Sequence, residues 1–405
     1  MDSLINAAAI ALAAGDALGA LKRVALRDDA AALALRGVAM AQLGDLERAK
    51  VALHRAVERF GPRELVSRAR CLVAEAEIAL VSRDLTLSTR ALDQARITLE
   101  LHGDRLNAAH ARNIEARRLL LVGSVDEAER VLGLDIEPLP HYLTAGRELV
   151  LAGIAIRRLD IRSARDALQR AARAARASGI AGLLMDVDRT LESLAQPAAR
   201  LMTAGEYRAV DLEQVASILR SGALVVDGCR QVVRQVGAVV SFTTRPVLFG
   251  LARALAEAWP GDVPREELIA KAFRARRPDE SHRVRLRVEI SRLRSELRPL
   301  AVIAATPRGF ELQPRRAREI LVLAPPLEHE HAALLALLSD GAAWSSSALA
   351  LALGASPRTV QRALEDLSAE ARAHAFGRGR AKRWTTPVMP GFPTTLLLPG
   401  VLPTG

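Results

Sequence analysis

The chain has 405 residues, 50% of them hydrophobic and 25% charged, with 57 Lys and Arg against 46 Asp and Glu for a formal net charge of +11. That length holds two to four domains, and no apolar run reaches the roughly 18–20 residues that a bilayer-spanning helix needs. The apolar start, Leu4–Ala14, lacks the basic flank of a secretory signal, so a cytoplasmic protein without a membrane segment is expected. Aromatics are only 3% while Ala and Leu fill whole stretches, a composition that favours helices. Cys71 and Cys229 match no metal or redox spacing and are expected to be reduced, buried thiols. Charge is uneven: +3 over residues 1–200 and +8 over residues 201–405. Arg274–Arg298 carries nine arginines against four acids, a density suited to phosphate. The competing explanation is a general preference for arginine over lysine, which says nothing about partners.

Residues 1–200 contain a repeat. Counted from Gly44, small or apolar residues stand at +5, +9 and +12, as Ala49, Leu53 and Ala56. The offsets recur from Arg83 as Ser88, Leu92 and Ala95, and from Leu159 as Ala164, Leu168 and Ala171. From Gly15 they give Ala20 and Val24, and from Gly123 they give Ala128 and Leu132 before failing at Asp135. The spacing predicts antiparallel helix pairs, each a turn followed by a helix whose small residue lets its neighbour approach. The unit around Gly37, Gly44, Ala49, Leu53 and Ala56 resembles a tetratricopeptide repeat, and the others resemble degenerate copies. A generic helical solenoid would have the same layout. The resemblance implies a concave surface for a protein or peptide partner, the alternative being a scaffold for spacing or dimerisation. Pro138-Leu139-Pro140 interrupts the run, and Gln196-Pro197 closes its last helix.

After Gly205 the pattern changes. Ala223–Arg234 and Gly237–Phe242 are β-branched runs around turn residues and predict two or three strands. Thr244–Trp259 and Pro264–Phe273 predict two helices, the second with Pro at its first turn. A third helix, Ser281–Leu297, has one buried stripe of Leu286, Ile290, Leu293 and Leu297 and a neighbouring outward row of Arg283, Arg287, Ser291, Arg294 and Arg298. Such a helix suits the major groove of DNA, where Arg donates to guanine or phosphate. Two strands follow, joined at Pro307-Arg308-Gly309. Residues 222–314 resemble the OmpR-type winged-helix domain of bacterial response regulators. The residues that carry the resemblance are Arg265-Glu266-Glu267-Leu268, Leu286–Leu297 and Thr306–Phe310. It implies a recognition helix in the major groove and a wing, here Thr306 and Arg308, reaching the adjacent minor groove. Two departures are visible: the family usually has an acid at the position of Arg287, and its wing is about two residues longer. The competing explanation of the arginines is a solvated face salted with Glu289 and Glu296.

Ser345–Leu367 carries a helix-turn-helix signature: Ala350 is small at the helix crossing, Gly354 supplies the turn, Ser356 caps a helix beginning at Pro357, and Val360, Leu364 and Leu367 anchor it. Ser356, Arg358, Thr359, Gln361 and Arg362 then lie at the end that touches base edges. Phe376–Thr386 looks like a second wing, with Arg378, Arg380, Lys382 and Arg383 suited to phosphate or minor groove. Residues 319–386 therefore resemble the winged helix-turn-helix of bacterial repressors, with protein contact as the alternative use. Glu328-His329-Glu330-His331 lacks the third or fourth ligand a metal site needs, and no arrangement supports catalysis.

The expected architecture is mainly α: an N-terminal α-solenoid of helix pairs over 1–200, then two winged-helix (α+β) domains over 222–314 and 319–386, and a Pro-rich tail over 387–405. The expected function is a bacterial transcriptional regulator that binds double-stranded DNA and takes a protein or peptide partner on its helical domain, with a homodimer as one option. No enzyme activity, cofactor or metal is expected. The rival expectation is an interaction scaffold whose winged helices bind proteins.

Overall fold

The computed structural model describes residues 2–82, 84, 89–133, 138–203, 206–242, 245–273, 280–325, 331–338, 344–370, 372–377, 379 and 382–385. They are mainly helical, with a smaller share of sheet beyond residue 198. Two compact units are present, Met1–Leu191 with Ala333–Gly405 and, between these segments in the chain, Glu192–Ala332. Among the described residues no helix is long and apolar enough to cross a membrane.

In the first unit α1 (Ser3–Ala13) packs on α2 (Ala17–Val24), α3 (Ala30–Gln42) on α4 (Leu46–Arg59), and α5 (Leu65–Val81) on α6 (Thr89–Leu101). The series continues with α7 (Arg105–Leu121) on α8 (Val125–Leu132) and α9 (His141–Arg157) on α10 (Ile161–Ser178), then α11 (Ala181–Ala195). Among the described residues one kind of turn recurs between the members of four pairs. Gly15, Gly44, Gly123 and Leu159 take positive φ. The next N–H, of Asp16, Asp45, Ser124 or Asp160, donates to the carbonyl five residues back. Asp84 donates in the same way to Ala79 O at 2.8 Å. Asp16, Asp45 and Asp160 then cap the following helix through their carboxylates. The same turn recurs at Gly103-Asp104 between α6 and α7, where the repeat offsets did not point.

The offset residues are those the pairs bury. Ala49, Leu53, Ala56, Ala164, Leu168 and Ala171 are wholly inaccessible, and Ala20, Val24, Leu92, Ala95, Ala128 and Leu132 are buried with them. Ser88 and Asp135 lie outside the described residues. A Cβ on Gly37 would stand 2.7 Å from Leu53 Cγ and 3.1 Å from Ala49 O, so α3 and α4 touch at a residue without a side chain. Cys71 is buried as expected, but Cys229 is exposed, because it sits in the turn after Asp227 with its N–H bonded to that carboxylate at 2.9 Å.

The C-terminal segment of this unit holds α16 (Ala332–Leu338), α17 (Ser346–Leu353) and α18 (Pro357–Ala369), with a small antiparallel pair, β10 (His374–Phe376) and β11 (Arg383–Thr385). Leu338, Trp344, Leu349, Val360, Leu364, Leu367 and Trp384 share one apolar core with Val73, Leu80, Leu92, Leu99 and Ile114 of α5–α7. Trp344 and Trp384 exchange backbone hydrogen bonds of 2.8 and 2.9 Å.

The second unit opens with a hairpin, β1 (Ala199–Thr203) and β2 (Glu206–Val210), and α12 (Leu212–Arg220). Then come β3 (Leu224–Asp227), β4 (Val232–Gln235), β5 (Ala238–Ser241), α13 (Pro246–Glu257), β6 (Val263–Pro264), α14 (Arg265–Phe273) and α15 (Glu280–Leu297). A hairpin of β7 (Ala301–Ala305) and β8 (Gly309–Pro314) leads to β9 (Ile320–Ala324). The six-stranded sheet runs β2-β1-β9-β3-β4-β5, and β9 pairs parallel to β3 and antiparallel to β1. Residues 320–324 were expected to open the last module. They form an inner strand of this sheet instead, where a run of Ile, Leu, Val, Leu and Ala is buried on both faces. The smaller sheet, β6-β8-β7, closes over a core of Leu251, Leu255, Leu268, Leu286, Ile290, Leu293, Leu297, Phe310 and Leu312.

Candidate nucleic-acid interface

α15 divides into two faces as helical spacing requires. Leu286, Ile290, Leu293 and Leu297 are buried, and Arg283, Arg287, Ser291, Arg294 and Arg298 are exposed. Their partners differ. Arg283 lies 3.4 Å from Glu280 and 3.7 Å from Glu266. Arg294 donates through Nε to Ile303 O at 2.8 Å, and its guanidinium sits 5.6 Å from the Phe310 ring centre, so its inner half braces the hairpin. Arg287 and Arg298 make no hydrogen bond or ion pair through their side chains among the described residues. A solvated face balanced by acids would pair them with Glu289 or Glu296, but Glu289 holds Arg292 at 3.0 Å and Glu296 holds Arg245.

The hairpin tip is more tightly held than its sequence suggested. Thr306 donates from Oγ1 to Asp262 Oδ2 at 2.6 Å and accepts from Gly309 N–H at 2.8 Å. Arg308 stays exposed, 3.5 Å from the same Asp262. Arg265 donates to the carbonyls of Thr306 and Pro307 at 3.2 and 3.0 Å. The tip docks so closely that a Cβ on Gly309 would lie 1.8 Å from Val263 O. Thr306 therefore spends its hydroxyl on the turn, and Arg308 is the tip's outward cation.

Beyond the hairpin lies a basic group that spacing did not single out. Arg315, Arg316 and Arg318 are exposed, and Arg315 donates from Nε to Arg298 O at 2.8 Å, which sets them at the C-terminal end of α15. The signal was present as three arginines in four residues.

On α18 the N-terminal turn is largely self-satisfied. Ser356 accepts from Thr359 N–H at 3.1 Å and the two hydroxyls lie 2.7 Å apart. Gln361 donates to Glu365 at 2.8 Å. Arg358 and Arg362 remain exposed with no ion pair among the described residues. Lys382 stands 4.5 Å from the Trp384 ring centre, and half-buried Arg383 donates to Lys382 O at 3.3 Å. Arg378 and Arg380 lie outside the described residues, as do Glu328, His329, Glu330 and the tail from residue 386.

No family model, curated protein or solved structure matches this chain.

Proposed function

We propose that the chain is a cytoplasmic DNA-binding transcriptional regulator whose principal reader is α15. The observation that carries this is the outward row of α15, where Arg287 and Arg298 are exposed and, among the described residues, have no carboxylate partner, while the opposite side of the same helix is core. An exposed guanidinium row is complementary to phosphate, and release of condensed counterions supplies the affinity. The order of α13, α14, α15 and the β7–β8 hairpin after β3–β5 supports the OmpR-type winged-helix reading. The recurrent turn and the buried offset residues support a tetratricopeptide-like reading of the helix pairs, with a protein or peptide partner in place of a phosphorylated receiver. Arg358 and Arg362 support a second, weaker DNA contact at α17–α18. There the rival, protein contact, gains from the self-satisfied Ser356, Thr359 and Gln361.

Titration of binding to random duplex DNA against salt tests the proposal. A log–log slope steeper than about −2 is expected, since each neutralised phosphate contributes about −0.9. No binding at low salt would leave the scaffold reading.

A further inference from the structure

We infer that α15 reads thymine methyl groups in the major groove through Val284 and Val288. This rests on the DNA-binding proposal above and adds a base preference to it. The two valines are 52% and 45% exposed, one turn apart on the line of the helix farthest from Leu286, Ile290, Leu293 and Leu297. Arg287 and Arg298 flank that line on one side; on the other stand Arg285, 4.5 Å from the Phe273 ring centre, and Arg292, paired with Glu289 at 3.0 Å. Neither valine belongs to the core of the unit. Valine is also a poorer helix former than the Arg, Lys or Glu a solvated position would take, so neither packing nor propensity accounts for the pair.

The flanking charge selects the occupant. A hydrophobic protein surface seated on the valines would have to desolvate guanidinium groups on both sides. A duplex groove has phosphate walls to meet those groups, and base edges between the walls. On those edges the thymine 5-methyl is the apolar feature that distinguishes one base pair from another. Four residues of helix advance about 6 Å, close to two base steps of about 3.4 Å, so the two side chains address positions within three base pairs.

The experiment uses the full chain. Duplexes selected from a random library are resynthesised with deoxyuridine replacing thymidine one position at a time, which deletes the methyl and leaves every hydrogen-bonding group in place. At one or two positions within three base pairs, uracil is expected to weaken binding roughly threefold to fivefold, the worth of one buried methyl. Val284→Ala and Val288→Ala, both at exposed sites, should keep the salt slope and each erase the uracil penalty at one position. Selected duplexes that bind equally well with uracil throughout, or valine variants that retain the penalty, would overturn the inference while leaving DNA binding intact. Failure to bind any duplex at low salt would remove both.

Discussion

Arginine does two different jobs in the two units. Among the helix pairs it is a connector. Arg36 and Arg55 meet Asp28 from two helices, Arg70 meets Asp104, Arg112 meets Glu100, Arg158 meets Asp126 and Glu129, and Arg170 meets Glu148. Around α15 the same residue type is turned outward, and Arg287, Arg298, Arg316 and Arg318 have no acid within reach among the described residues. The excess of arginine is therefore not a uniform compositional habit. Carboxylates follow it in one unit and are withheld from it along one face of the other.

Exchanging the two kinds of arginine sharpens the contrast. Arg70→Ala leaves Asp104, only 8% exposed, without its 2.7 Å partner and should cost about 3 kcal/mol of stability. Urea unfolding followed at Trp344 and Trp384 in a Trp259→Phe background would measure the loss, with DNA affinity unchanged while the chain is folded. Arg287→Ala with Arg298→Ala should do the reverse: a melting temperature within about a degree of the parent, affinity reduced on the order of tenfold per site, and a salt slope shallower by about one per arginine. Equal losses of stability would break the comparison. Arg358→Ala with Arg362→Ala should weaken binding only about threefold to fivefold, because fewer cations are presented there; no change would assign α18 to protein contact. Arg283→Ala should have the smallest effect, twofold or less, since Glu266 and Glu280 already compete for that guanidinium.

Acid stability offers a further probe of the connector role. The hydrogen bond from Arg36 holds Asp28 below the usual carboxylate range, and Arg158 does the same to Glu129. Their contribution is present above the unfolded pKa of about 4 and is lost as pH falls through the lower folded values. Glu75 has the opposite sign. Burial pushes its pKa up, with His54 and Lys50 only partly offsetting, so it destabilises the fold at neutral pH and less so as pH falls through its raised value. Glu75→Gln should therefore raise the melting temperature at pH 7, by a gain that fades toward pH 4. A gain that grew on acidification would reverse the assignment.

What could be read from sequence was local. The repeat offsets found the pairing turns because the turn residue and the small or apolar residues spaced four and three apart on the next helix are all written within about a dozen positions, and at Gly15, Gly44 and Leu159 a capping Asp follows the left-handed residue. The outward row of α15 was legible for the same reason, since helical periodicity alone assigns faces. Long-range partners were not. Nothing near Ile320 announces that it pairs with Leu224, and Thr306 and Asp262 meet only because the smaller sheet brings the hairpin back over β6. Gly103-Asp104 escaped because it joins two pairs and so falls between the repeat offsets.

The shared core of α5–α7 with Trp344 and Trp384 has a consequence for biosynthesis. A ribosome releases the helix pairs first and must then complete residues 192–332 before the tryptophans emerge to cover Val73, Leu80 and Ile114. Throughout that interval the nascent helices carry an uncovered greasy seam, so a chain terminated before residue 333 should engage holdase chaperones and aggregate when they are depleted.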